Sequence, residues 1–161
     1  MVKRIQALFL LFACGLFSQT LQFSSASAPA GDRIVIEMSL QSLTDVEAST
    51  LQWEITIPAA QLTFLDKETA AAPAAQAAGK TVSCAVKPST PPESSAVCMM
   101  YGGRESIPNG AAAARLMFKS VPDATLGPTA RIRISHALAV SKDLKRIPLK
   151  DTEAIIKILP K

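Results

Sequence analysis

A single histidine, His136, and three cysteines, Cys14, Cys84 and Cys98, are the residues best suited to nucleophilic, acid–base or metal chemistry. A Ser–His–Asp site would have to use His136, which sits in Ser135-His136-Ala137 at the end of a predicted strand. The sequence holds no Gly-x-Ser-x-Gly elbow, no phosphate loop and no His-Glu-x-x-His pair. Acidic residues such as Asp66, Glu68 and Asp123 are scattered rather than grouped as a dyad. A metal centre built on one histidine, with no Cys-x-x-Cys spacing, lacks ligands. The residues therefore point to a protein that is not an enzyme, with no catalytic residue and no cofactor.

The cysteines depend on where the chain is processed. Met1-Val2-Lys3-Arg4 supplies a short positive start, and the run from Ile5 to Phe17 is almost wholly apolar. A membrane span needs about 20 apolar residues, so this run reads as an export signal covering residues 1–28. Ser24-Ser25-Ala26 and Ala28-Pro29-Ala30 both offer small residues at signal-peptidase spacing, the second disfavoured because Pro29 would follow the cut. Leu11-Phe12-Ala13-Cys14 loosely resembles a lipobox, which would make Cys14 a lipidation site and the membrane a partner through that anchor alone. The plainer reading leaves Cys14 inside a discarded leader. Either way two cysteines remain for the folded part, an even count suited to an oxidising compartment.

Those two cysteines sit on elements that could bring them together. Thr81 to Val86 and Ala96 to Tyr101 both read as strands, separated by the proline-rich stretch Lys87 to Ser94. A hairpin centred on Pro91 sets Cys84 opposite Cys98, and a disulfide there would contribute roughly 3 kcal/mol at most. Two free buried thiols or a metal site are the alternatives.

The rest of the chain follows a period of two. Ile34, Ile36, Met38 and Leu40 alternate with Arg33, Val35, Glu37 and Ser39, and Leu51, Trp53, Ile55 and Ile57 alternate with Gln52, Glu54 and Thr56. Leu62–Leu65, Arg115–Lys119, Ala130–Ile134 and Ala154–Leu159 are further short strands. Many short strands at this spacing predict an all-β fold, a single β-sandwich of jelly-roll type over residues 31–159. The alanine-rich segment 70–79 carries Pro73 and reads as a surface loop with at most one helical turn. Gly102, Gly103 and Asn109-Gly110 mark turns that need positive φ.

In this order the pieces resemble a cohesin domain, within the wider group of carbohydrate-binding-like β-sandwiches. The resemblance rests on Gly31-Asp32-Arg33-Ile34-Val35-Ile36, on Leu51 to Pro58 followed by Leu62-Thr63-Phe64, on Ala78 to Ser83, and on Ile107 to Phe118. Ile57-Pro58 departs from it, because many members carry an acidic residue before that proline. The resemblance implies non-catalytic binding, with a dockerin-like or other exported protein as partner and a role in polysaccharide degradation. A carbohydrate-binding module and a periplasmic or cell-surface structural component are the alternatives.

Composition narrows the partner further. The formal charge of +4 falls to about +2 once Lys3 and Arg4 leave with the leader, and no basic stripe interleaves with aromatics, so nucleic acid is not expected. One Trp, one Tyr and six Phe are few for a sugar-stacking platform, and Trp53 falls in phase with core residues. Candidate surface contacts are Tyr101, at a strand end before Gly102-Gly103, and Arg131 with Arg133, which share one strand face. The expected location is secreted, periplasmic or at the cell surface.

Overall fold

The computed structural model describes residues 19–122 and 127–161. Cys14 and Asp123 lie outside the described residues. The elements, in chain order, are β1 (Gln19–Phe23), β2 (Ala26–Pro29), β3 (Arg33–Ser42), β4 (Ala48–Pro58), β5 (Leu62–Phe64), β6 (Ala70–Ala71), α1 (Pro73–Ala77), β7 (Thr81–Lys87), β8 (Glu93–Tyr101), β9 (Ala112–Ser120), β10 (Thr129–Ser141), β11 (Arg146–Pro148) and β12 (Thr152–Leu159).

Alternation decides which side of each strand is dry. On β3, Ile34, Ile36, Met38 and Leu40 are buried while Arg33, Val35 and Glu37 face water. On β4, Leu51, Trp53, Ile55 and Ile57 are buried and Gln52 is exposed. Two sheets meet through these dry faces. A five-stranded sheet runs β1-β3-β9-β5, with β6 also paired to β9. A seven-stranded sheet runs β2-β12-β10-β4-β8-β7, with β11 also paired to β10. Pairing is antiparallel except between β2 and β12. Trp53 and Phe118 are the largest fully buried side chains, and Phe64 packs against Phe118 with ring centroids 5.3 Å apart. Burial of each large apolar side chain contributes roughly 1.5–3 kcal/mol. The all-β sandwich expected from the alternation is the fold observed.

Three local features differ from the sequence reading. Residues 19–29, assigned to the leader and the stretch behind it, supply two strands of the sandwich. β1 pairs with β3 from Gln19↔Ser42 to Phe23↔Met38, β2 pairs with β12, and Leu21, Ala28 and Ala30 are buried. The domain therefore begins by Gln19, ahead of residue 31. Second, segment 70–79 is not a surface loop throughout. Pro73 opens α1 at a position where its missing N–H costs nothing, and Ala72 and Ala75 are small enough to be fully buried beside β9. Third, β10 does not stop at Ile134. A bulge between Ser135 and Leu138 moves the buried set from Ala130, Ile132 and Ile134 to Ala137, Ala139 and Ser141, and His136 takes φ 50° to make the step.

Cys84 and Cys98 form the disulfide, directly opposite each other on β7 and β8. Replacing both with alanine is expected to lower the unfolding free energy by roughly 3 kcal/mol, given a closed loop of this size, as read by urea denaturation. The same measurement should separate two truncations. A chain starting at Gln19 should unfold like the parent, whereas one starting at Gly31 should lose roughly 3 kcal/mol or more through removal of β1 and β2. Equal stability of the two would mean that these strands contribute nothing to the core.

Candidate binding surface

The seven-stranded sheet turns one face to solvent. Cross-strand register builds it in rows: Ser83, Met99, Gln52 and Leu138 form one, and Ala85, Val97, Glu54 and Ser135 the next. Both rows carry small or apolar groups over their first two strands, β7 and β8, at the margin of the sheet. Met99 is 40% exposed and Tyr101, at the end of β8, 43%. Single exposed apolar residues are ordinary, but here they are neighbours on a rigid sheet.

Charges border this strip at one end and on its β4 and β10 side, and they are paired with one another. Glu54 accepts from Lys87 at 2.8 Å and has the His136 Nδ1 3.5 Å away. Arg133 holds Glu93 at 2.7 Å, and Arg131 holds Glu153 at 3.1 Å. The sequence placed Arg131 and Arg133 on one solvent face, and that is where they lie. Each guanidinium is engaged by a carboxylate, so they form a mixed-charge border and not a bare positive patch. Exposed pairs of this kind contribute little stability, yet they hold long side chains in fixed positions.

Tyr101 owes its position to a buried ammonium. Lys80 is 4% exposed, and its Nζ donates to the carbonyls of Gly102 at 2.7 Å and Ser49 at 2.9 Å. This ties the end of β8 to the start of β4. Burial holds the Lys80 ammonium below its ordinary pKa, with Lys142 adding to the shift. The chain then turns through Gly102 (φ 90°) and Gly103 (φ 63°), and a Cβ on Gly103 would collide with the carbonyl oxygen of Ala78.

A concavity, which nothing in the sequence marked, lies at one end of the sandwich. Loop residues 43–47 and 105–109 enclose about 430 Å³ above Gln19. Gln19 is fully buried and donates through Nε2 to the Val46 carbonyl at 2.6 Å, while its Oε1 finds no donor among the described residues. Glu47 accepts from Ser106 at 2.7 Å and has Lys142 3.6 Å away, which together hold its carboxyl below the usual range. Asp45 and Glu105 stand in two different loops, a placement no linear spacing signals.

His136 is 81% exposed at its bulge, with a carboxylate beside it. Among the described residues, no three His, Cys, Asp or Glu side chains converge to hold a metal ion. Trp53 is fully buried between the sheets, as its phase implied, and its indole N–H finds no acceptor among the described residues. Among the described residues Tyr101 is the aromatic that reaches solvent most fully.

No family model matches the sequence, and no curated protein matches it. Solved structures do match, many of them cohesins. The cohesin module of a family 33 glycoside hydrolase from Clostridium perfringens superposes with a TM-score of 0.69 at 10% identity, over 90% of this chain and 99% of that one. A type I cohesin of Clostridium thermocellum, solved with a dockerin, gives 0.66 at 15% identity over 88% and 99%. The sixth cohesin of scaffoldin B from Acetivibrio cellulolyticus, also solved with a dockerin, gives 0.65 at 15% identity over 88% and 99%. The chain has the cohesin fold, in agreement with the resemblance of its strand order.

Lys80 can be tested directly. Lys80→Met should cost roughly 1–3 kcal/mol by leaving two carbonyls without their donor. The parent carries a further signature. Because the folded state binds the Lys80 proton less tightly than the unfolded state, its stability should rise with pH through the window below 10.5, and Lys80→Met should flatten that rise. Urea unfolding across that window reads both effects.

Proposed function

We propose that this protein is an exported, non-catalytic interaction module that docks a protein partner on the outer face of its seven-stranded sheet, as a cohesin receives a dockerin-like module. The observation that carries this reading is the strip formed by Val97, Met99 and Tyr101, bordered by charges already paired within the chain. Such a face can be covered without stripping water from an unpaired charge. Hot spots favour that arrangement: apolar and aromatic anchors inside, a polar border outside. Structures with the same fold were solved with dockerins bound, which supports the same class of partner here.

Export is supported by the positive, then apolar, start of the sequence and by the Cys84–Cys98 disulfide, a bond suited to oxidising compartments. Cleavage of the leader then falls upstream of Gln19, because a cut after Ala26 or Ala28 would remove paired strand β1. Work beside polysaccharide-degrading or cell-surface machinery belongs to the same reading. Direct sugar stacking is less well supported, since Trp53 is enclosed and Tyr101 alone does not make a platform.

Calorimetric titration with purified dockerin modules from exported proteins of the same host, in calcium and in chelator, tests the proposal. Met99→Asp should weaken binding at least tenfold, about 1.4 kcal/mol, by placing a charge in the apolar strip. Gln22→Asp, on the opposite sheet, should leave affinity unchanged. Equal binding by the Met99 variant, or binding to polysaccharide alone, would contradict the assignment.

A further inference from the structure

The far margin of the seven-stranded sheet is β7, which pairs with β8 on one side; among the described residues no other strand pairs with its free side, although β6 of the facing sheet lies close by. Natural sheets guard such margins with short strands, prolines, bulges or charges. Three other margins follow that rule, since β2 ends in Pro29, β5 has three residues, and β11 carries Arg146 and Pro148, whereas β1, QTLQF, is uncharged but shorter than β7. β7 is seven residues long, TVSCAVK, with one charge at its end. That charge does not guard the edge, because Lys87 is drawn back across the sheet to Glu54 at 2.8 Å.

The direction of the free backbone groups follows from the disulfide partners. Directly opposed antiparallel residues lie about 4.5 Å apart in Cα when not hydrogen-bonded to each other, and about 5.5 Å when they are. Cys84 and Cys98 are 4.1 Å apart, so they are a non-hydrogen-bonded pair. The N–H and C=O of Cys84 therefore point away from β8, and by alternation so do those of Val82 and Val86. Val86 is also 50% exposed, although its partner Ala96 is fully buried. Its phase is inward, but at this margin the sandwich does not cover it.

We infer that β7 is a pairing edge for a second copy of this chain, joined antiparallel about a two-fold axis at Cys84. The strand is self-complementary in that register. Val82 meets Val86 of the second copy and Cys84 meets its own equivalent, and these are the residues whose backbone groups face outward. The three pairs exchange on the order of six hydrogen bonds. The half-exposed Val86 gains an apolar neighbour, Ser83 faces Ala85 without crowding, and Lys87 faces Thr81, so no like charges oppose each other. The pairing extends the sheet while leaving both outer faces open, and it stands independently of the proposed partner. With an area below about 1,200 Å², the association is weak and reversible.

Sedimentation velocity on the purified protein from roughly 10 to 500 µM should show the weight-average mass climbing towards twofold, as a small interface requires. Val86→Pro removes an outward N–H that β8 does not use, so the variant should fold and stay monomeric throughout. Amide exchange covers the case in which that variant misfolds. In the parent, exchange at Val82, Cys84 and Val86 should slow roughly fivefold with concentration, while Ser83 and Ala85, already bonded to β8, stay constant. A constant monomer mass, or edge amides indifferent to concentration, would overturn the dimer. Protection that arises only when a foreign extended peptide is added would assign the edge to another occupant and overturn it equally.

Discussion

Stacking of the two sheets through one continuous apolar layer is the constraint on which the rest of this molecule depends. A strand has only two faces, so each residue committed to that layer commits its neighbours to water. Trp53, Ile55 and Ile57 inward leave Gln52, Glu54 and Thr56 outward. The same rule encloses the one tryptophan and withholds it from any ligand. It also lines up Met99 and Val97 on the solvent side of β8, because Cys98 and Met100 face inward. The binding surface is thus what remains of the strands after the core has been filled.

The outward face gains its definition from polar links rather than from further apolar burial. Lys87, Glu54 and His136 converge across the sheet, Arg131 takes a carboxylate from the neighbouring β12, and Arg133 reaches over β4 to one on β8. Lys80 acts from beneath, where its ammonium fixes the carbonyl that follows Tyr101. Lys87 matters twice. Its ion pair orders the charged border of the face, and the same reach leaves the margin of β7 without a charge. Face and edge are in this way coupled through one side chain.

Much of this was legible in the sequence, for a physical reason. Period-two patterning is a direct image of sheet stacking, so β3, β4, β9 and β12 could be read from their apolar residues alone. The Cys84–Cys98 bridge was one of three open possibilities, and the hairpin register made it the outcome. The misread parts are those where a local pattern has two physical meanings. Gln19-Thr20-Leu21-Gln22-Phe23 alternates like any strand but abuts an apolar leader, and Ser-Ala triplets serve a peptidase and a short strand equally well. Ala72 and Ala75 are small enough to suit a loop or a tightly packed helix, and the packing chose. The bulge at His136 reverses the phase of β10 midway, which a fixed period cannot register. The cleft over Gln19 joins loops more than fifty residues apart, and nothing along the chain records that meeting.

The central claim is that a protein partner covers the outer face of the seven-stranded sheet. Hydrogen exchange of the chain with and without a bound partner, resolved to short peptides, tests it most directly. The account predicts new protection concentrated on β4 and β8, around Gln52, Glu54, Val97 and Met99, with β1 and β3 unchanged. Protection confined to the loops at 43–47 and 105–109, or to the five-stranded sheet, would contradict it.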